Sequence, residues 1–344
     1  MARYFSIKRN LWFRSLSLFF FLGLNAHFGL AADMPLVRIA HGAFNEKVES
    51  LWVGVERGFF RKHGVEVEVI NIRSGPQTIA ALASGDIQMA YTIPGSVLSA
   101  VAGGMDVVFF GGIVNRADGD FVVEPRIRRP EDLKGKRLGV QSIGGGVWSL
   151  AMLAVENLGL DTTRDKILVM IVGDQSVLTQ AMASGQIDAA YLGYTFSTLL
   201  KEKGFHVLLD IGKAPIPYQG LALVARRSYL QQNPQIADSV LRGAVESVAF
   251  IQNPANREVV LKSLAKHLRL TNGKEVENAY EVLQWLYNLD IRPNLKGIQN
   301  MQRLLAVTNP KVMKVKAEDV IDEEPVRRLE KGSFYRELVA RVKK

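Results

Sequence analysis

Short apolar runs alternate with longer amphipathic stretches over the first two thirds of the chain. The runs begin, in order, at Val37, Val65, Met89, Val107, Arg137, Ile167, Ala189, Val207 and Leu221. Short β-branched or apolar runs that alternate with helical stretches are typical of strands joined by crossover helices. The pattern predicts an α/β fold with mostly parallel sheet between Leu36 and Ala225.

After Arg226 the apolar residues recur only at three- and four-residue spacing, which indicates helices. The predicted helices begin at Pro234 and Pro254, or span Lys274–Tyr287, Leu295–Val307 and Glu318–Glu330. We therefore expect a helical C-terminal tail.

An eleven-residue segment is echoed one hundred residues later. Ala81–Tyr91 and Ala181–Tyr191 share seven identities without a gap. In each copy a helix ends at a glycine, Gly85 or Gly185, that can adopt the left-handed conformation, and a short buried strand follows. Because this period is too long for a solenoid, the echo predicts two similarly built α/β lobes.

The N-terminus has the order of a secretory signal peptide. Four basic residues and no acid precede the apolar run Leu16–Leu24, and Asn25, His27 and small residues follow up to Ala32. The alternative is an uncleaved membrane anchor, but a spanning helix needs about 20 apolar residues and this run is shorter. We expect residues 1–32 to be removed on export, so that the mature chain begins near Asp33.

Cysteine is absent from the sequence. Its absence excludes disulfides, thiolate metal sites and a lipid attached through an N-terminal cysteine. With the signal peptide, this predicts a periplasmic or otherwise extracytoplasmic protein without a lipid anchor. The formal net charge is +9, but the basic residues lie among acids, as in Glu56, Arg57, Arg61 and Glu66. That arrangement is typical of a solvated surface and argues against a nucleic-acid partner.

Catalytic signatures are missing from the sequence. The five histidines are isolated, and neither HExxH nor GxSxG occurs. Asp118 and Asp120 flank Gly119, where two acids are more typical of a turn than of an acid–base pair. We therefore expect a monomeric binding protein that is not an enzyme and that holds no cofactor or metal.

Ligands of open α/β sheets bind beyond the carboxyl ends of the strands, so the segments that follow the strands are the candidate binding loops. In Ser142–Trp148, three consecutive glycines between a strand and a helix would let backbone N–H groups approach an anion. A tight turn explains the same glycines equally well, and their spacing matches neither GxGxxG nor GxxxxGK[ST].

Aromatic and hydroxyl side chains complete the candidate site, each with a structural alternative. Trp52 and Trp148 are placed to clamp a flat solute or to pack in the core, Ser74 to bind or only to cap a helix, and Tyr194 to offer its hydroxyl. The predicted ligand-binding residues are Phe44, Trp52, Ser74, Gly75, Thr92, Ser96, Ser142, Gly144, Gly145, Trp148, Tyr194, Thr195 and Gln219.

Four segments resemble one protein family. Leu51–Glu68, Ser74–Gln77, Ala83–Ile87 and Asp132–Val140 resemble the substrate-binding proteins of the nitrate, sulfonate and taurine ABC importers. The resemblance implies a type II periplasmic-binding fold with a cleft between two α/β lobes. It implies a first lobe from residues 33–121, a second from 122–222, and a return to the first lobe with the helical tail in 223–344. The crossing strands would lie near Phe121–Val123 and Gly220–Val224.

The same resemblance implies that the chain captures a small solute by hinge closure and delivers it to a permease and its ATPase. A sulfonate or carboxylate is favoured over a heterocycle, although Arg73 is the one positive side chain found in the candidate loops. The alternatives are a protein that binds a pyrimidine precursor of thiamine, or an enzyme on the same fold. The enzymatic branch of the pyrimidine-precursor proteins carries a cysteine-rich motif, which this chain lacks.

Overall fold

A computed structural model describes residues 34–72 and 74–342; the predicted signal peptide and Arg73 lie outside the described residues. The strands are β1 (Leu36–His41), β2 (Glu66–Asn71), β3 (Met89–Thr92), β4 (Val107–Gly112), β5 (Asp120–Val123), β6 (Arg137–Val140), β7 (Leu168–Ile171), β8 (Ala189–Leu192), β9 (His206–Asp210) and β10 (Ala222–Arg226). The first seven helices are α1 (Glu49–Glu56), α2 (Phe59–Lys62), α3 (Gly75–Ser84), α4 (Pro94–Ala102), α5 (Gly146–Asn157), α6 (Gln175–Ala183) and α7 (Tyr194–Lys201).

The remaining helices follow β10. They are α8 (Arg227–Gln232), α9 (Pro234–Gln252), α10 (Arg257–Leu268), α11 (Gly273–Leu286), α12 (Leu295–Ala306), α13 (Glu324–Lys331) and α14 (Ser333–Val342). Short 3₁₀ helices cover Glu46–Val48, Pro130–Leu133, Ile211–Lys213, Pro254–Asn256, Pro310–Lys314 and Ala317–Val320. None of these helices combines the length and the apolar character needed to cross a membrane.

The strands form two five-stranded sheets with the same plan. The orders are β2-β1-β3-β10-β4 and β7-β6-β8-β5-β9. Four strands of each sheet run in the same direction, and one strand, β10 or β5, runs antiparallel to its two neighbours. This arrangement confirms the predicted two-lobed α/β fold.

The echoed segments hold equivalent places in the two sheets. Each ends in a central strand, β3 in the first lobe and β8 in the second, and both strands are wholly buried. Gly85 and Gly185 have φ angles of +89° and +72°, as expected for glycines that end a helix.

The chain passes between the sheets twice, over residues 113–119 and 214–221, and a bridge between Arg116 and Pro217 joins the two passages. The predicted crossing at Phe121–Val123 is wrong by a few residues, because these residues belong to β5 and pair with strands on both sides. Most of Gly220–Val224 likewise belongs to β10. The lobe boundaries at 121/122 and 222/223 stay predictions.

The C-terminal tail packs mainly on the first lobe. Helix α9 lies against α1, α2, α13 and α14, whereas α11 reaches α7 of the second lobe. The single helix predicted over Glu318–Glu330 is wrong: Ile321 bridges to Phe109, and α13 starts only at Glu324. Pro325 explains this start, since proline lacks an N–H and is tolerated only in the first turn of a helix.

Candidate functional site

The carboxyl ends of strands from both sheets face a cleft between the lobes, and helices α3, α5 and α6 begin at its edge. The described residues that line this cleft are Gly42, Ala43, Phe44, Asn45, Lys47, Gly75, Thr92, Ile93, Val114, Gln141, Ser142, Gly145, Gly146, Val147, Leu150, Asp174, Gln175, Tyr191, Tyr218, Gly220 and Leu221. They come from both lobes and from both passages between them.

Lys47 is the cation among the described residues that line the cleft, and its three N–H groups are all engaged. Nζ donates to Oδ1 and Oδ2 of Asp118 at 2.7 and 2.8 Å and to the Tyr191 hydroxyl at 3.2 Å. An ammonium has three donors, so this set leaves none for a solute. Burial alone would lower the pKa of Lys47, but the carboxylate of Asp118, helped by Glu46, outweighs it and the pKa is raised.

The backbone of Lys47 is fixed as firmly as its side chain. Its carbonyl accepts hydrogen bonds from the hydroxyls of Tyr287 at 2.8 Å and Tyr91 at 3.2 Å, and Asn45 caps the 3₁₀ turn by accepting from the Lys47 N–H at 3.2 Å. The turn therefore joins the first lobe, the second lobe, a passage between them and the helical tail at one point.

Glu46 makes a second contact across the cleft. Its Oε2 accepts from the hydroxyl of Thr195 in the second lobe at 3.1 Å, while its Oε1 is buried without a hydrogen-bond partner among the described residues. Burial raises the pKa of Glu46, and neighbouring Lys47 only partly opposes this. The second lobe thus meets a buried acid as well as the ion pair.

Helix α6 brings a carboxylate and an amide to the cleft. Asp174 caps the helix, and its Oδ1 accepts from the N–H groups of Ser176 at 3.0 Å and Val177 at 3.2 Å. Oε1 of Gln175 accepts from the Gly193 N–H at 2.6 Å. These two residues place a negative charge and an amide on the wall contributed by the second lobe.

Helix α5 begins at the cleft without a side-chain cap. Its N-cap is Gly145, and Gly144 before it has a φ of +75°. A Cβ on Gly145 would lie 2.6 Å from Oγ of Ser142, so a side chain would not fit at this position. The glycines therefore form a tight turn, one of the two interpretations offered by the sequence. The same turn leaves the positive end of the helix pointing into the cleft.

Five of the predicted site residues line the cleft: Phe44, Gly75, Thr92, Ser142 and Gly145. Two others, Ser96 and Gly144, lie just outside it, on an adjoining groove. The function of all seven in ligand binding stays a prediction.

Four other predicted residues, polar or aromatic, are not among the described residues that line the cleft, and they hydrogen-bond to other protein groups. Ser74 caps α3, Thr195 bonds Glu46, and Tyr194 donates its hydroxyl to Asp210. Gln219 is buried, with its amide nitrogen donating to the Val114 carbonyl at 3.1 Å and its oxygen accepting from Asn294 N–H at 2.6 Å.

Neither tryptophan is among the described residues that line the cleft, and both pack in the core, which was the structural alternative for them. Trp52 stacks on His267 with ring centres 4.6 Å apart, and Trp148 is buried within α5. The position of Trp52 depends on a residue more than two hundred positions away, which the local pattern does not indicate.

The charged and amide residues at the cleft that the sequence did not predict include Lys47, Glu46, Asp174 and Gln175. In the sequence, Glu46 and Lys47 precede another acid and have the composition of a solvated helix start. The cap Asn45 was a usable signal, because a capped turn directly after a strand has its first N–H groups at the ligand side of the sheet.

A family model described as NMT1/THI5 like matches residues 45–256. The chain belongs to this family. The matched region contains the cleft turn, both passages between the lobes and the whole second sheet. It covers well over half of the sequence.

Named relatives of this NMT1/THI5-like chain include binding proteins. It is 26% identical over 227 residues to the taurine-binding periplasmic protein of Escherichia coli (63% of this chain, 68% of the relative). It is 25% identical over 271 residues to the formylaminopyrimidine-binding protein of Halalkalibacterium halodurans (69% and 79%). The structure of the periplasmic aliphatic sulphonate binding protein of E. coli superimposes with a TM-score of 0.69 at 21% identity, covering 84% of this chain and 92% of that one. The last likeness confirms the type II periplasmic-binding fold.

Proposed function

We propose that this chain is the extracytoplasmic solute-binding protein of an ABC importer and that it captures a small organic solute in the cleft. The observation that carries the proposal is the composition of the cleft walls. Asn45 comes from the first lobe, Gln175 from the second, and Val114 and Gly220 from the two passages between them. A solute that touches all four parts stabilises one relative arrangement of the lobes, which a permease and its ATPase can recognise.

Closure about the two passages is the motion expected of such a protein. The passages are short, 113–119 and 214–221, and one ends at Gly119, whose φ is +87°. Few residues therefore need to change conformation for the lobes to rotate.

The charges favour a solute without net negative charge. Of the described residues that line the cleft, Lys47 and Asp174 carry charge, and Lys47 is already neutralised by Asp118. Glu46 lies buried beside them. A neutral or basic nitrogen compound, such as an aminopyrimidine, would meet acceptors here, whereas a sulfonate or carboxylate would face Asp174 with no unpaired cation among the described lining residues to bind it. This reverses the order of preference that the sequence suggested.

One observation favours the second candidate, an anion. Helix α5 points its positive end into the cleft and lacks a side-chain cap. Backbone N–H groups at a helix start bind sulfonate or carboxylate oxygens without any basic side chain.

We further propose binding without turnover, in keeping with the names of the relatives. The test is a thermal-shift screen of residues 33–344 against pyrimidines, amines, amino acids, sulfonates, carboxylates and nitrate, followed by mass spectrometry of each hit. A ligand at about 100 times its dissociation constant adds about 2.7 kcal/mol of stability. Stabilisation with the solute recovered unchanged supports the proposal, and conversion of the solute contradicts it.

The extracytoplasmic location has its own test. N-terminal sequencing of the exported protein should give a start near Asp33. Recovery of the full-length chain from the cytoplasmic fraction would contradict that location.

A further inference from the structure

A second hollow adjoins the cleft where the lobes meet. We call it the outer groove; it is lined by Pro76, Ile79, Ala80, Ala83, Gly95, Ser96, Ser99, Ala100, Met105, Ile143 and Gly144. Helices α3 and α4 of the first lobe form its floor, and the Ile143–Gly144 loop of the second lobe closes one end. Its walls are mostly apolar, and Ile143 leaves 41% of its surface exposed.

At one point between the outer groove and the cleft, the two lobes meet backbone to backbone. A Cβ on Gly95 would lie 2.0 Å from the carbonyl oxygen of Gly144, so the two lobes touch there through residues without side chains. Neighbours in sequence face opposite hollows: Ser142 lines the cleft and Ile143 the outer groove. A small separation of the lobes at this contact would join the two hollows.

One polar atom marks the junction. Ser96 is 5% exposed, and its hydroxyl is buried without a hydrogen-bond partner among the described residues. A Cβ on Gly75 would lie 2.4 Å from this hydroxyl and 3.3 Å from that of Thr92, and both Gly75 and Thr92 line the cleft. Buried hydroxyls are nearly always paired, so the Ser96 hydroxyl calls for a partner that arrives between the two hollows.

We propose that the outer groove is a second subsite, which takes the apolar end of the solute whose polar end lies in the cleft. A hydrogen-bonding group between the two ends pairs with Ser96. The inference rests on the proposed function and deepens it, since it predicts an elongated solute with an aryl or alkyl tail. The occupant is identified by the position of the groove directly across the Gly95–Gly144 contact from the cleft, with the Ser96 hydroxyl, unpaired among the described residues, between the two hollows.

The test uses N-phenyl-1-naphthylamine, a neutral arylamine whose fluorescence rises in apolar surroundings, titrated into residues 33–344. Ile143→Ser removes an apolar wall, and Ala80→Phe fills the groove from an exposed position of α3. The matched control is Val177→Ser, because Val177 is also an aliphatic residue of the second lobe and is 42% exposed. Ser96→Ala removes the hydroxyl at the junction.

We expect the wild-type protein to bind the probe saturably. The affinity should fall by about five-fold or more in Ile143→Ser and Ala80→Phe, because both variants lose apolar contact with the probe. In Val177→Ser it should change by less than about two-fold. Ser96→Ala should weaken it by roughly three-fold through the lost hydrogen bond. Absence of saturable binding, or equal affinity in Ile143→Ser, Ala80→Phe and the control, would overturn the inference. The thermal-shift screen fails or succeeds separately, so a stabilising solute without probe binding removes the outer subsite alone.

Discussion

The two lobes share a plan, but their equivalent positions around the cleft carry different chemistry. In the first lobe, Asn45 caps a turn whose second residue is Lys47; one hundred residues later, Gly145 caps α5 and the second residue is Val147. Both Lys47 and Val147 line the cleft. The first lobe thus supplies a side chain that bridges the lobes, and the second supplies an uncapped helix end.

The echoed tyrosines show the same divergence. Tyr91 donates to the carbonyl of Lys47 within the first lobe, whereas Tyr191 accepts from the Lys47 ammonium across the cleft. The two lobes therefore place equivalent hydroxyl groups near Lys47, but the two hydroxyls bond different atoms of it.

The largest expected effect is on the bridge that has no counterpart in the second lobe. Lys47→Met leaves Asp118 buried and unpaired, since the two side chains are 8% and 1% exposed. Loss of one partner of a buried ion pair costs about 3–5 kcal/mol of unfolding free energy. Urea denaturation measures the loss.

Its control is Lys266→Met, which breaks the exposed pair with Glu56 and should cost less than about 1 kcal/mol. Equal losses in the two variants would mean that Lys47 does not bridge the lobes as described.

The next effect concerns pH and a difference in charge between the lobes. Glu49 lies in the first lobe, and one hundred positions later the second lobe has Ser149, which does not titrate. Burial raises the pKa of Glu49 well above its ordinary value of 4.5, and neither of its carboxylate oxygens has a hydrogen-bond partner among the described residues. Its neutral form contributes to stability below pH 4.5, and that contribution is lost as the pH rises towards the higher folded-state pKa. Glu49→Gln should flatten this decline when urea midpoints are measured from about pH 4 to about pH 8.

The other end of α1 provides a control of opposite sign. Burial would raise the pKa of Glu56, but hydrogen bonds from Lys266 and His267 outweigh it and lower the pKa. Glu56→Gln should therefore remove a gain of stability with rising pH. A decline that persists unchanged in Glu49→Gln would assign it to another group.

Smaller effects are expected at the equivalent caps Ser74 and Asp174. Asp174 accepts two backbone N–H groups, whereas Ser74 accepts one at 3.4 Å. Replacement of a cap by alanine costs about 0.5–2 kcal/mol, so Asp174→Ala should lie near the upper end and Ser74→Ala near the lower. Thermal denaturation of both variants gives the order of the two losses. A larger loss of stability in Ser74→Ala than in Asp174→Ala would contradict the prediction from the number of capped N–H groups.

The smallest effects separate the tyrosines. Tyr91→Phe removes the hydrogen bond to the Lys47 carbonyl and should cost about 1 kcal/mol of unfolding free energy, the usual value of one hydrogen bond. Tyr191→Phe removes the bond from Lys47 and a long bond to Asp118 at 3.4 Å, and should cost about the same or slightly more. Only Tyr191 lines the cleft, so only Tyr191→Phe should also change the affinity for whichever solute stabilises the chain. Calorimetric titration of both variants would contradict the account if Tyr91→Phe changed the affinity as much.

The sequence predicted the lobes better than the site. The echo and the strand pattern depend on local periodicity, and both lobes follow from them. The pairing of Lys47 with Asp118 spans seventy-one positions, and no local pattern reports such a contact. The stacking of Trp52 could not be predicted for the same reason, because its partner His267 belongs to a distant tail helix.

The crossings were misplaced for a different reason. A short apolar run has the same composition whether it pairs within a sheet, like Phe121–Val123, or passes between sheets, like residues 113–114. Only the presence of neighbouring strands distinguishes the two, and that is a property of the folded chain.

The central claim is that the cleft binds a solute without net negative charge, and one paired measurement tests it most directly. The wild-type protein is compared with Asp174→Asn, which keeps a capping oxygen but loses the charge. Both are screened by thermal shift against two groups of compounds. The first group contains basic or neutral pyrimidines and amines, and the second contains sulfonates, carboxylates and nitrate. The account predicts that the stabilising compounds come from the first group and that basic ones bind more weakly to Asp174→Asn. Stabilisation by sulfonates, carboxylates or nitrate alone, unchanged or strengthened in Asp174→Asn, would contradict it.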